Sequence, residues 1–141
     1  MMLRDLIAKI DDYAGFSQVV KMVVPNDIFR LNTIADAQYP CLGWTQRQHR
    51  IDMASGLQYF NLVIFYVDRL TESKSNELAV QSAGIAVLTD LLRTMEDAGA
   101  PTYGDVTFTT FNQRFTDECA GVYVSATFEV PAETLCAVDP L

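Results

Sequence analysis

The chain has 141 residues, half of them hydrophobic and a fifth charged, the balance of one folded domain with a single core rather than of a disordered segment. Ten Lys and Arg against eighteen Asp and Glu give a formal net charge of −8, which argues against a surface built to grip nucleic-acid phosphates. Acidity of this size serves solubility in most proteins, and it also suits the wall of a channel through which DNA slides without sticking.

The first residues, MMLRDLIAKIDDY, include Arg4, Asp5, Lys9, Asp11 and Asp12 and so lack the uninterrupted apolar stretch of a signal peptide. No run approaches the roughly 18 apolar residues of a membrane span. Cys41, Cys119 and Cys136 are odd in number and far apart, which points to free thiols in a reducing compartment rather than to a disulfide framework. The expectation is a soluble protein made in a cytoplasm.

Leu3, Leu6, Ile7, Ile10 and Tyr13 recur at helical spacing, so residues 2–14 read as an amphipathic helix ending near Gly15. QVVKMVV (18–24) reads as a short strand stopped by Pro25-Asn26. Residues 27–38 are ambiguous: Ile28, Leu31, Ile34 and Ala35 fit a helical face, which Asn32 and Thr33 weaken. Tyr39-Pro40 opens an extended segment, and CLGWTQRQHRID continues it as a strand that turns polar and passes into a loop.

Residues 57–68 form the central strand, with Leu57, Tyr59, Val63, Phe65 and Val67 on one face and Phe60, Leu62, Ile64 and Tyr66 on the other. A strand apolar on both faces needs two covers, and a chain this short has few helices to supply them. A polar loop, 69–76, ends at Ser75 or Asn76 as the cap of a long helix, with Glu77 well placed against its dipole. The periodicity predicts a buried stripe of Leu78, Gln81, Ile85, Leu88, Leu92 and Met95, and Gly99 and Pro101 end the helix. Strands follow at 105–111 and 121–131; in the second, Val122, Val124, Ala126, Phe128 and Val130 point inward. NQRFTDECA between them reads as too long for a tight hairpin. The expected fold is α+β: one domain over 1–131, a mixed or antiparallel sheet of four to five strands, two main helices on one face, and a tail over 132–141.

Chemistry is sparse in this pattern. The single histidine, His49, lies in the polar run TQRQHR, and a nucleophile pair with Cys41 rests on nothing but sequence proximity. One histidine and three scattered cysteines make a metal site improbable, and neither phosphate-binding glycine motif occurs. The acidic pairs Asp11-Asp12, Glu96-Asp97 and Asp117-Glu118 are sequence neighbours that point apart, so none makes an acid–base dyad. No catalytic, metal or cofactor-binding residue is assigned, and no enzymatic activity is expected. Arg114 and Asp117 are placed to pair across the loop between the last strands, as a local ion pair or as a contact to a neighbouring subunit. Trp44, Tyr59, Tyr66 and Phe111 exceed what one helix layer covers, so one or two of them are expected as interface anchors. The candidate subunit-interface residues are Trp44, Phe60, Leu62, Ile64, Tyr66, Arg114 and Asp117.

Tyr39-Pro40, the strand FNLVIFYVDRL, ELAVQS leading into a helix with TDLL, and FNQRFTDECAGVYV opening the last strand together resemble phage virion proteins. The resemblance is to the small tail-terminator, tail-completion and neck-ring subunits of tailed bacteriophages, including those of phages infecting Bacteroides, and covers residues 1–131. It implies a non-enzymatic structural role: a hexameric or dodecameric ring in the virion neck or tail, assembled in the host cytoplasm. Its implied partners are portal, neck or tail-tube proteins, with DNA passing through the channel without specific binding and no membrane involved. The loops 43–56 and 69–76 are the candidate docking elements. The alternatives are another virion component, such as a tail-tube or baseplate protein, or a small cytosolic α+β enzyme or ligand-binding domain.

Overall fold

The computed structural model describes residues 1–114 and 117–132 apart from Ala35, with Arg114 described by its backbone alone. In chain order the elements are α1 (Leu3–Phe16), β1 (Met22–Val24), a 3-10 helix (Ile28–Thr33), β2 (Cys41–Gln46), β3 (Arg50–Asp52), β4 (Leu57–Arg69), α2 (Glu77–Asp97), β5 (Phe108–Arg114) and β6 (Glu118–Pro131). The fold is α+β, as expected, with one mixed sheet of six strands in the order β1-β2-β4-β6-β5. β3 joins β4 beyond the end of β2, and β1 runs parallel to β2 while every other pairing is antiparallel.

β4 is the axis of the sheet. Along its whole length, from Leu57 opposite Pro131 to Arg69 opposite Cys119, it pairs with β6. On its other side it pairs first with β3 and then with β2. Phe60, Leu62, Ile64 and Tyr66 of β4, with Val122, Val124, Ala126, Phe128 and Val130 of β6, form the floor of the main core. Leu6 and Ile10 of α1 and Val80, Leu88, Leu91 and Met95 of α2 form its lid.

The buried stripe of α2 is rotated from the one its apolar periodicity predicts. Val80, Gly84, Leu88, Leu91, Leu92 and Met95 face the sheet, whereas Leu78 is 75% exposed and Ile85 39%. Gly84 explains the rotation: a Cβ there would lie 2.8 Å from both Tyr66 Cδ1 and Val122 Cγ2. The helix turns its smallest residue toward the sheet, where the Tyr66 ring occupies the space a larger side chain would need.

The second face of the sheet has its own cover at one end. The segment whose sequence is ambiguous forms the 3-10 helix, capped by the Asp27 side chain, which accepts the Phe29 N–H at 2.9 Å. Ile28 and Leu31 pack there with Val24, Cys41, Val67 and Cys119 in a second cluster. Ile28 sits above Gly43, where a Cβ would meet its Cδ1 at 2.8 Å. The helices are therefore not confined to one face: α1 and α2 cover one side, and the short helix covers part of the other.

Three boundaries shift. The strand read over 18–24 shortens to β1 because the Ser17 hydroxyl accepts the N–H groups of Val19 and Val20 and turns the chain after α1. The polar run after β2 is an irregular segment, 47–49, that is tied to β4 through Asn61 and leads into β3. Arg47 N–H donates to the Asn61 carbonyl, Asn61 N–H donates to His49 Nδ1, and the Asn61 amide group donates to the Gln48 carbonyl. Finally, β5 and β6 extend toward each other until Arg114 lies opposite Glu118, so the connection is far shorter than the nine residues read as a loop.

Candidate assembly surfaces

Trp44, Phe60, Leu62, Ile64 and Tyr66 are all buried within the chain itself, on the face that α1 and α2 cover. That placement corrects their assignment as subunit-interface residues: they hold this fold together. The reason lies in the pleat, since each lies on the same side of the sheet as the helix-facing residues of β6. The Arg114 side chain lies outside the described residues, so its pairing with Asp117 does too. Asp117 instead meets Arg69, whose guanidinium Nη2 lies 3.4 Å from Asp117 Oδ2, an exposed pair.

Among the described residues, the incompletely covered surface is the other face of the sheet. Beyond the 3-10 helix, Phe65 of β4, Phe111 of β5 and Tyr123 of β6 form a triangle of rings with centroid separations of 6.4, 5.8 and 6.1 Å. All three are half-buried. The Phe111 ring lies over Gly121: a Cβ there would meet the ring at 2.7 Å and the Tyr66 carbonyl at 2.2 Å. The face continues through exposed Ser125 to a polar pair, Thr127 donating to Asn61 Oδ1. It ends at Tyr59, over which the Arg50 guanidinium stacks at 3.8 Å and which Tyr103 meets edge-on. Alternation puts Phe65 on this face and Tyr123 among the outward positions of its strand; only the β5–β6 register brings Phe111 to them.

β5 is the last strand of the sheet on its side, and Thr109, Thr110, Asn112 and Gln113 are exposed along it. Such an edge offers backbone N–H and C=O groups to another chain. Glu77 at the start of α2 accepts from the Asn112 side chain at 2.9 Å and ties the edge to the helix.

The nucleophile candidates are not activated. Cys41 and Cys119 are free and buried; burial pushes their thiols up to about 12 and about 11, so both stay protonated at neutral pH. The pairing of Cys41 with His49 does not form. Cys41 lies opposite Val67, and His49 bonds to Asn61, six residues further along β4, which is roughly 20 Å of strand. His49 is structural: Nδ1 accepts from Asn61, which leaves Nε2–H to donate to Gln46 Oε1 at 3.1 Å, and the ring meets Phe60 edge-on. Among the described residues no group of three His, Cys, Asp or Glu is placed to hold a metal ion. No helix among them is long and apolar enough to cross a membrane.

On the helix side, an open groove of about 650 Å³ runs between the C-terminal half of α1 and α2. Tyr13 spans its floor, its hydroxyl donating to Asp90 Oδ2 at 2.8 Å; burial and the Asp90 carboxylate raise the phenol well above its ordinary range. Phe16, Val19, Ala86 and Val87 give it an apolar lining. No model of a known protein family and no curated protein sequence matches the chain.

Proposed function

We propose that this chain is a structural subunit of a tailed-phage virion that closes into a ring at the head–tail junction or at the end of the tail tube. The ring joins head to tail and leaves a channel for the genome. One observation carries the reading. Among the described residues, the sheet face opposite α1 and α2 is closed at one end by the 3-10 helix, and at the margin of that cover the half-buried triangle Phe65–Phe111–Tyr123 lies beside the edge strand β5. A single domain gains little by holding three aromatic rings at a water boundary, whereas a repeating interface between identical subunits buries them and covers the edge. The resemblance of FNLVIFYVDRL and FNQRFTDECAGVYV to tail-terminator and neck-ring subunits supports the virion context. The net charge of −8 fits a lumen that repels the DNA backbone.

The test is the mass and shape of the purified chain, alone and mixed with portal and tail-tube proteins where its neighbouring genes encode them. Native mass spectrometry and negative-stain microscopy are expected to give a hexameric or dodecameric ring, free or seated on one of those partners. A chain that stays monomeric in every mixture overturns the reading.

A further inference from the structure

Two features of the surface complement each other and lie on different parts of the fold. The first is the groove between α1 and α2. Its lip is Phe16, a large apolar side chain 90% exposed, and its walls include Val19, 45% exposed. Asp12 and Asp90 line it against a single cation, Lys9. The second is the hairpin β3–β4. Met53 at its turn is 83% exposed and Ile51 is 44% exposed. Its base carries Arg47 and Arg50, both exposed, in a chain that is otherwise strongly acidic. The turn is built to hold its shape: Asp52 Oδ1 accepts the Ala54 N–H at 2.9 Å, Gly56 N–H donates to the Asp52 carbonyl at 2.8 Å, and Gly56 takes a φ of 72°. Arg50 stacks on Tyr59 through the face of its guanidinium, an arrangement compatible with a carboxylate at its N–H edge, and its charge also acts on Asp52 beside it.

We propose that the β3–β4 hairpin of one copy docks in the α1–α2 groove of the next, with Met53 and Ile51 against Phe16 and Val19, and Arg47 and Arg50 toward Asp12 and Asp90. The inference rests on the ring reading and adds to the interface at the aromatic triangle and the β5 edge a second head-to-tail contact, whose two halves it names. The occupant is a second copy because one chain presents both an apolar, acid-rimmed groove and an apolar, basic-flanked projection. Since the two patches differ, the contact is heterologous, and repeating it generates a closed ring or a filament rather than a two-fold dimer. Met53 is suited to the role: a flexible thioether gains against an aromatic edge such as Phe16.

Two measurements on the full chain test this. In a Cys136→Ser background, Met53→Cys with Phe16→Cys is expected to give a disulfide-linked ladder on mild oxidation, even where assembly is too weak to survive dilution. A yield of linked species no higher than the single-cysteine variants give overturns the contact. The second measurement uses a hairpin variant, Met53→Asp with Arg47→Glu, and a groove variant, Phe16→Asp with Asp12→Arg. Each alone is expected to raise the half-assembly concentration by at least ~10-fold, the loss of one good anchor. Mixed together they are expected to associate with each other at a lower concentration than either does with itself, because each supplies the half that the other lacks. Both variants assembling like the parent overturns the docking proposal and leaves the ring standing. A parent chain that neither assembles nor cross-links overturns both.

Discussion

Gly84 decides how closely α2 approaches the sheet. Gly84→Ala places a methyl group where Tyr66 and Val122 already lie, and is expected to cost roughly 1–3 kcal/mol, read as a lower urea midpoint. At Gly15, near the end of α1, a methyl group would meet no atom within 4 Å, so Gly15→Ala is the matched control and is expected to be neutral or to stabilise by up to about 1 kcal/mol. Equal losses from both variants would contradict the close-approach account. His49 makes a second prediction at this scale. Burial lowers its pKa below the ordinary 6.5, and its Nδ1 must be unprotonated to accept the Asn61 N–H. A folded pKa below the unfolded one means the unfolded chain binds more protons between the two values, so stability rises with pH there. The contribution is complete above about 6.5 and is lost as the pH falls through the folded value. His49→Phe is expected to flatten that part of the stability–pH curve, and an unchanged slope would remove His49 from the account.

At the scale of elements, α2 provides the sharpest test. Leu88→Ala is expected to destabilise by about 2–5 kcal/mol, since Leu88 is fully buried over the sheet. Leu78→Ala is expected to stay within about 0.5 kcal/mol in dilute solution. The reverse ranking by chemical denaturation would restore the stripe that the sequence pattern implies. That pattern misleads because it scores large apolar residues, whereas the packed face of α2 turns on a glycine. β4 is legible on both faces, since alternation follows from the pleat whatever covers it. β6 is legible for the same reason, down to which of its residues point inward. β3 is not legible: QRQHRID has no apolar alternation, and the segment leading into it is tied to β4 by hydrogen bonds to Asn61, twelve residues beyond His49. The cover of the second face is hidden in a segment of weak helical period, and what it leaves open appears only once the register of β5 against β6 is known. The assignment of Phe60, Leu62 and Ile64 to a boundary follows from correct faces and an incorrect choice of which face the helices take.

For the whole molecule, the proposed function gives the two sheet faces different work, one in folding and the other in assembly. Leu62→Asp buries a charge beneath α1 and α2 and is expected to prevent folding, seen as loss of the cooperative thermal transition. Ser125→Glu, on the opposite face beside the aromatic triangle, is expected to fold normally and to impair ring formation by size-exclusion chromatography. A Ser125→Glu chain that still assembles at parental concentrations would place the repeating contact elsewhere. The ladder between β4 and β6 has a further consequence, for synthesis. Its partners are separated by between 50 positions, from Arg69 to Cys119, and 74, from Leu57 to Pro131. Contacts of that range make folding slow, because a long loop must close before they reward it. On the ribosome, at roughly 5–20 residues per second, β4 waits about 3–15 seconds for its central partner. During that interval β2 and β3 can shield one edge of β4, and α1 and the 3-10 helix part of each face, but the edge that β6 takes and the area that α2 covers stand open. The strand that organises the finished domain is therefore the nascent chain's principal aggregation hazard, and its natural client site for a chaperone.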